Sequence, residues 1–210
     1  QASTGAYADG NNAIAIGQAS NANAAKAISI GSDTIASHEW TSAYGGRAEA
    51  KNLGATALGS WTQASGQFSI AVGGSDGNGR NNGAATIASG DRSTAIGRNA
   101  KSAGADTIAL GTGTQANDSD AVAVGTGAQA TLANSIAIGK NSVATGVFAS
   151  DRKGRAIAVG FNTQALGEDS VAIGSGVDAN AAALAQNRQS VALGSSRNGR
   201  DSNAQRLGVK

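Results

Sequence analysis

Apolar positions recur along this chain inside one fixed phrase: a small residue, an apolar residue, Ala, an apolar residue, Gly. Clear copies are AIAIG ending at Gly17, SIAVG at Gly73, TIALG at Gly111, AVAVG at Gly125, SIAIG at Gly139, SVAIG at Gly174 and SVALG at Gly194. Gly17, Gly31, Gly45, Gly59 and Gly73 stand 14 residues apart, as do Gly97, Gly111, Gly125 and Gly139, and the pair Gly160 and Gly174. Three intervals are longer: 73 to 97, 139 to 160 and 174 to 194 exceed 14 by 10, 7 and 6 residues. Alternation within the phrase has period two, which is the strand period. The residue before the Gly is apolar in all 12 copies, and the residue two before it is Ala in all but one, where Ser29 stands. β-branched residues favour strands, and Gly lets the chain turn at the strand end. A second, weaker strand follows the Gly, with Ala22, Ala36, Ala50, Ala64, Ala116 and Ala130 beside polar Asn21, Glu49, Gln63, Gln115 and Gln129.

A 14-residue unit has room for two short strands and two tight turns, so each unit predicts one coil stacked in parallel on the last, ~4.8 Å away. The expectation is an all-β parallel β-roll over residues 1–194, with insertions at about 74–83, 148–155 and 184–188, followed by a basic segment at 195–210. Period two also separates two faces. The Ile/Val row is expected inside the roll. The Ala row is expected outside, as a flat apolar stripe of the kind that marks an interface. Its members are Ala15, Ala43, Ala57, Ala71, Ala95, Ala109, Ala123, Ala137, Ala158, Ala172 and Ala192. Closed symmetry would use this stripe in every copy; the residues alone leave dimer and trimer open.

Composition narrows the chemistry. Gly accounts for 31 of the 210 residues, aromatics for 3%, and there is no Pro, Met or Cys. Such a chain can fill a thin core but not a thick one, since large aromatics dominate burial elsewhere. Without Cys there are no disulfides, thiol nucleophiles or Cys-ligated metals. Net charge is +2, yet Arg188 to Lys210 carries five cations against one anion; a run of this kind reads first as a solvated terminus. No apolar run approaches the roughly 20 residues of a membrane helix. Because the chain opens at Gln1 inside a repeat, any export signal and membrane anchor are expected outside these residues.

SVAIG at 170–174, SIAIG at 135–139, TIALG and SVALG on a 14-residue period resemble the YadA-like head of trimeric autotransporter adhesins, from about Ala13 to Gly194. The resemblance implies a left-handed roll, a homotrimer, and exposure on the outer membrane of a Gram-negative bacterium. It also implies binding to host extracellular matrix (collagen, fibronectin, laminin) or host cell receptors, and autoaggregation or biofilm formation. Residues 195–210 stand where such heads begin their neck, but the family's neck sequence is not completed there. A spacer that displays other domains without a ligand of its own is the alternative.

Candidate ligand contacts lie where the repeat is broken, because loops inserted on a rigid scaffold often carry binding. In GSDGNGRNNG, Arg80, Asn81 and Asn82 suit an acidic or polar partner; in FASDRKGR, Arg152, Lys153 and Arg155 lie beside Phe148 and suit an anion. Both loops also read as tolerated surface excursions. Trp40 and Trp61, the only tryptophans, read as amphipathic side chains lying on the roll. The pairs Asp118/Asp120 and Glu168/Asp169 fall in turns, where Asp is common.

No catalytic site, cofactor, metal or nucleic-acid partner is expected. A lone His38 cannot build a zinc site, an acid–base pair needs a pocket that shifts its pKa values, and GTGT at 111–114 lacks the phosphate-loop Lys. A hexapeptide-repeat acyltransferase would need six-residue units. A calcium-binding roll would need a regular Asp, and an ice-binding solenoid a regular Thr ladder.

Overall fold

The computed structural model describes residues 5–75, 85–146, 155–177 and 182–194. It divides into two compact units, Gln1–Asp106 and Thr107–Lys210, and all regular structure among the described residues is β.

In the first unit, three-residue strands alternate with two-residue strands. The longer set comprises Ile14–Ile16, Ile28–Ile30, Ser42–Tyr44, Thr56–Leu58, Ile70–Val72 and Thr94–Ile96. The shorter set runs from Tyr7–Ala8 through Asn21–Ala22, Ile35–Ala36, Glu49–Ala50, Gln63–Ala64 and Ile87–Ala88 to Lys101–Ser102. Each set forms its own parallel sheet in strict register: Ala57 pairs with Ala71 and Ala71 with Ala95, while Ala36 pairs with Ala50 and Ala50 with Ala64. The second unit repeats the scheme, from Ile108–Leu110 to Val191–Leu193 and from Gln115–Ala116 to Leu184–Ala185. The parallel β-solenoid expected from the repeat is therefore present in each unit.

The two faces are the reverse of the expectation. Ala43, Ala57, Ala71, Ala95, Ala109, Ala123, Ala137, Ala158 and Ala172 are fully buried inside the roll, and Ala192 nearly so. Ala15 points the same way and is partly open in the first complete coil. The Ile, Val and Leu residues on either side face outward: Ile16 is 56% exposed and Ile138 40%. The reason is thickness. No fully buried side chain among the described residues is larger than Thr, so the two sheets approach too closely for Ile or Val to fit between them. The sequence pattern gave the alternation correctly, but the larger row was assigned to the inside.

Ser and Thr complete this thin core because most of their buried hydroxyls have a partner at a turn, Ser93 Oγ being an exception. Thr62 Oγ1 donates to the Gly59 carbonyl at 2.8 Å, Thr114 Oγ1 to Gly111 at 2.9 Å and Ser142 Oγ to Gly139 at 2.9 Å. At the opposite corner Ser69 Oγ donates to Gly66 at 2.8 Å and Ser170 Oγ to Gly167 at 2.6 Å. Ser29, which replaces Ala, donates its hydroxyl to Thr34 Oγ1 at 2.8 Å. Burying a hydroxyl without such a bond would cost about 1–3 kcal/mol.

The repeat Gly is required by geometry. Gly59 has φ +121°, and a Cβ there would lie 1.6 Å from the Gly73 carbonyl oxygen of the next coil. Both corners also hold a left-handed residue. On the corner leading into the longer strands these include Asn12, Lys26, Trp40, Phe68, Arg92 and Asp106; on the other, Asp33, Arg47, Trp61, Asn99 and Asn141.

Strand register locates the insertions. Gln63 pairs with Ile87, so the first falls between Val72 and Ile87. The second falls between Ala144 and Ile157. The third falls between Ile173 and Leu184, because Gln164 already pairs with Leu184. It is therefore not at 184–188, and those residues form a regular strand and turn. The segment 195–210 lies outside the described residues.

Candidate functional site: the outer faces and corners

Each unit presents two chemically different outer faces. The longer-strand face of the first unit carries Ile14, Ile16, Leu58, Ile70 and Ile96, all more than a third exposed; that of the second carries Ile108, Leu110, Ile138, Ile173 and Leu193. Two outward side chains per strand and a coil step of ~4.8 Å make this a dense apolar surface. Patches of that kind on a monomer mark interaction sites. The shorter-strand face is mixed: Asn21, Glu49, Gln63 and Lys101 alternate with Tyr7, Ile35 and Ile87 in the first unit, and Gln115, Gln129 and Gln164 with Val143 and Leu184 in the second.

The Ala ladder proposed as the partner surface lies inside the roll, so these Ala side chains cannot meet another chain. Among the loop candidates, Arg80, Asn81, Asn82, Phe148, Arg152 and Lys153 lie outside the described residues. Arg155 is described and already engaged. Its Nε lies 2.7 Å from Asp169 Oδ1 and its Nη2 2.9 Å from Asp169 Oδ2. Arg188, expected in an insertion, lies in the regular turn after Leu184–Ala185, with Nε 3.2 Å from Glu168 Oε2.

These pairs follow a rule. A side chain at a corner meets the residue at the same position of the next coil, 14 residues on in an unbroken stretch. Asp33 pairs with Arg47 and Arg92 with Asp106. Lys26 Nζ lies 4.4 Å from the Trp40 ring centroid, and the Arg47 guanidinium 4.5 Å from that of Trp61. Where an insertion intervenes the offset grows with it: Lys140 over Phe161, and Glu168 with Arg188. Arg92 is close enough to Asp106 to hold its carboxyl below the usual carboxylate range, chiefly by hydrogen bonding. Asp118 acts as a turn residue, its Oδ1 accepting from the Ser119 N–H at 2.8 Å. The 14-residue pairing was legible in the sequence, although the corner pairs were not singled out there.

A cavity of about 260 Å³ in the last described coil is lined by Leu184, Ala185, Gln186, Asn187, Ser190, Val191 and Ala192, none of them titratable.

A thin parallel solenoid with one dense apolar outer face and one mixed, more polar one is a repeat scaffold that works through its surfaces. A family model described as the YadA head domain repeat matches residues 8–34, 50–75, 83–100, 88–114, 102–128, 116–142, 130–150 and 154–176. The chain belongs to the YadA head family. The family is one of extracellular surface adhesin domains of autotransporters and not a family of enzymes, which points to an adhesin-type function. Among curated proteins, no sequence matches it.

Proposed function

We propose that this chain is the head of a homotrimeric, left-handed surface adhesin that binds host extracellular matrix or cell surfaces and promotes autoaggregation. The observation that carries the reading is the outward Ile/Val/Leu face of the longer-strand sheet. Three copies meeting on that face would bury it around a common axis and leave the more polar shorter-strand face and both corners in water. Burying one Ile or Leu side chain contributes about 1.5–3 kcal/mol, and the roll's own Ala/Ser/Thr core supplies little apolar burial per residue. Assembly therefore adds the hydrophobic core that a single roll lacks.

Sedimentation at micromolar concentration tests the assembly, with a trimer expected; a clean monomer would refute it. Solid-phase binding to collagen, fibronectin, laminin and host cells tests the adhesin reading. A trimer that binds none of them would instead be a display spacer.

A further inference from the structure

The corner leading into the longer strands carries aromatic side chains where the backbone least favours them. Its left-handed column in the first unit runs through Asn12, Lys26, Trp40, Gly54, Phe68, Arg92 and Asp106. Asn, Asp and Gly adopt this conformation readily, whereas a bulky residue there is an outlier. Trp40 has φ 65° and Phe68 φ 53°. Burial does not offset that strain, because Trp40 is 60% and Phe68 56% exposed. The left-handed turn recurs in every coil of this corner; what sets Trp40 and Phe68 apart is that it holds two large rings in the open, which points to a role outside the fold.

The two rings form a built surface. Lys26 covers one face of Trp40 at 4.4 Å, which limits the ring's freedom. Two coils on, roughly 10 Å away, Phe68 lies against Gly54, where an added Cβ would be 2.5 Å from Phe68 Cδ1. Gly54 thus contributes no side chain between Trp40 and Phe68, and its smallness sets where the Phe68 ring lies. His38, Glu39 and Gln67 stand exposed beside the rings. Charge near this ridge is mixed, with Lys26 and Arg92 against Glu39, Asp91 and Asp106, so it favours no net sign of ligand.

We propose that the Trp40–Gly54–Phe68 corner binds an extended, neutral glycan, whose sugar rings stack on Trp40 and Phe68 while hydroxyls bond to His38, Glu39 and Gln67. Pyranose rings offer flat C–H faces to aromatic rings and hydroxyls at their rims, matching this alternation of apolar and polar groups. The coil step of ~4.8 Å is comparable with the advance of one sugar in an extended chain. A polyproline helix also stacks on aromatics, but it docks in grooves between them, and the Phe68 ring over Gly54 occupies that space. The proposal rests on the adhesin reading and names its ligand class.

The test titrates the full chain with cellohexaose, maltohexaose and N-acetylchitohexaose, following tryptophan emission in a Trp61→Phe background so that Trp40 is the sole reporter. At least one hexasaccharide is expected to shift the emission saturably. Trp40→Asn and Phe68→Asn, which place a residue suited to this backbone, are expected to weaken binding by calorimetry about tenfold or more while the melting temperature is kept. No binding by any hexasaccharide, or binding unchanged in both Asn variants, overturns the proposal, as does preference for a proline-rich peptide at this corner. Cell and matrix binding, measured in parallel, separates the two readings. Hexasaccharide binding without cell or matrix binding sinks the adhesin reading alone. Cell binding that persists in both Asn variants, with no hexasaccharide bound, sinks the glycan corner alone.

Discussion

Ala137 and Ile138 are adjacent in one strand and meet opposite environments: Ala137 is fully buried in the roll, whereas Ile138 is 40% exposed on its outer face. The pair separates folding from assembly. Ala137→Leu forces a large side chain between sheets that admit nothing larger than Thr. Such overpacking costs about 1–3 kcal/mol, read as a lower melting temperature. Ile138→Asp leaves that core intact but places a charge in the proposed shared face, and should shift sedimentation from trimer towards monomer. A trimer unaffected by Ile138→Asp would place the assembly surface elsewhere.

The glycines divide by what stands beside them. At Gly59 a methyl group meets the Gly73 carbonyl oxygen at 1.6 Å with φ at +121°, so Gly59→Ala must displace the next coil. A loss of roughly 2 kcal/mol or more is expected in denaturant unfolding. Gly113, at φ +68°, has nothing within 4 Å of an added Cβ, and its corner carries Asn141 in the same conformation. Gly113→Asn should therefore change stability by less than about 0.5 kcal/mol.

The period and the strand pairs were legible in the sequence because each depends on spacing alone. The sidedness was not. Period two distinguishes the faces, but which one is inside depends on how closely the sheets approach, and no single repeat encodes that distance. Ala and Ser/Thr recurring at every inward position were the available signal, since a row that never exceeds Thr is the row that must fit a narrow space. The third insertion was misplaced because a Gly-to-Gly interval gives the length of an insertion but not its corner. Strand pairing at Leu184 fixes it. Corner contacts such as Lys26 with Trp40 were encoded as residues 14 apart, but only stacking in register turns that spacing into contact.

Glu168 and Arg188 close the last described corner across the third insertion. The Glu168 side chain is 8% exposed and lies 3.2 Å from Arg188 Nε, with Arg155 Nη2 at 4.0 Å. Arg188→Ala would leave a mostly buried carboxylate with its more distant partner only. Since Arg188 itself is 60% exposed, solvent screens the pair, and a loss of about 1–2 kcal/mol is expected. Glu168→Gln with Arg188→Ala should recover part of it, because no charge is left buried. A double-mutant cycle by thermal unfolding measures the coupling, and additivity of the two changes would refute the contact.

Asp106 offers a pH test of the corner ladder. Arg92 Nη2 lies 2.6 Å from Asp106 Oδ2 and holds that carboxyl below its ordinary range. A carboxyl whose folded pKa is depressed contributes stability that is fully present above the unfolded value, about 3.9 for Asp. It is lost as pH falls through the lower folded value. Asp106→Asn removes that contribution, so the parent should melt above the variant at neutral pH, and the gap should close as pH drops below about 4. Both partners are largely exposed, so added salt should narrow the neutral-pH gap as well. A gap that stays constant from neutral to acid pH would mean that Asp106 acts there through its turn conformation and not through its charge. Asn, which adopts the same backbone at Asn134, is the substitution that tells these apart.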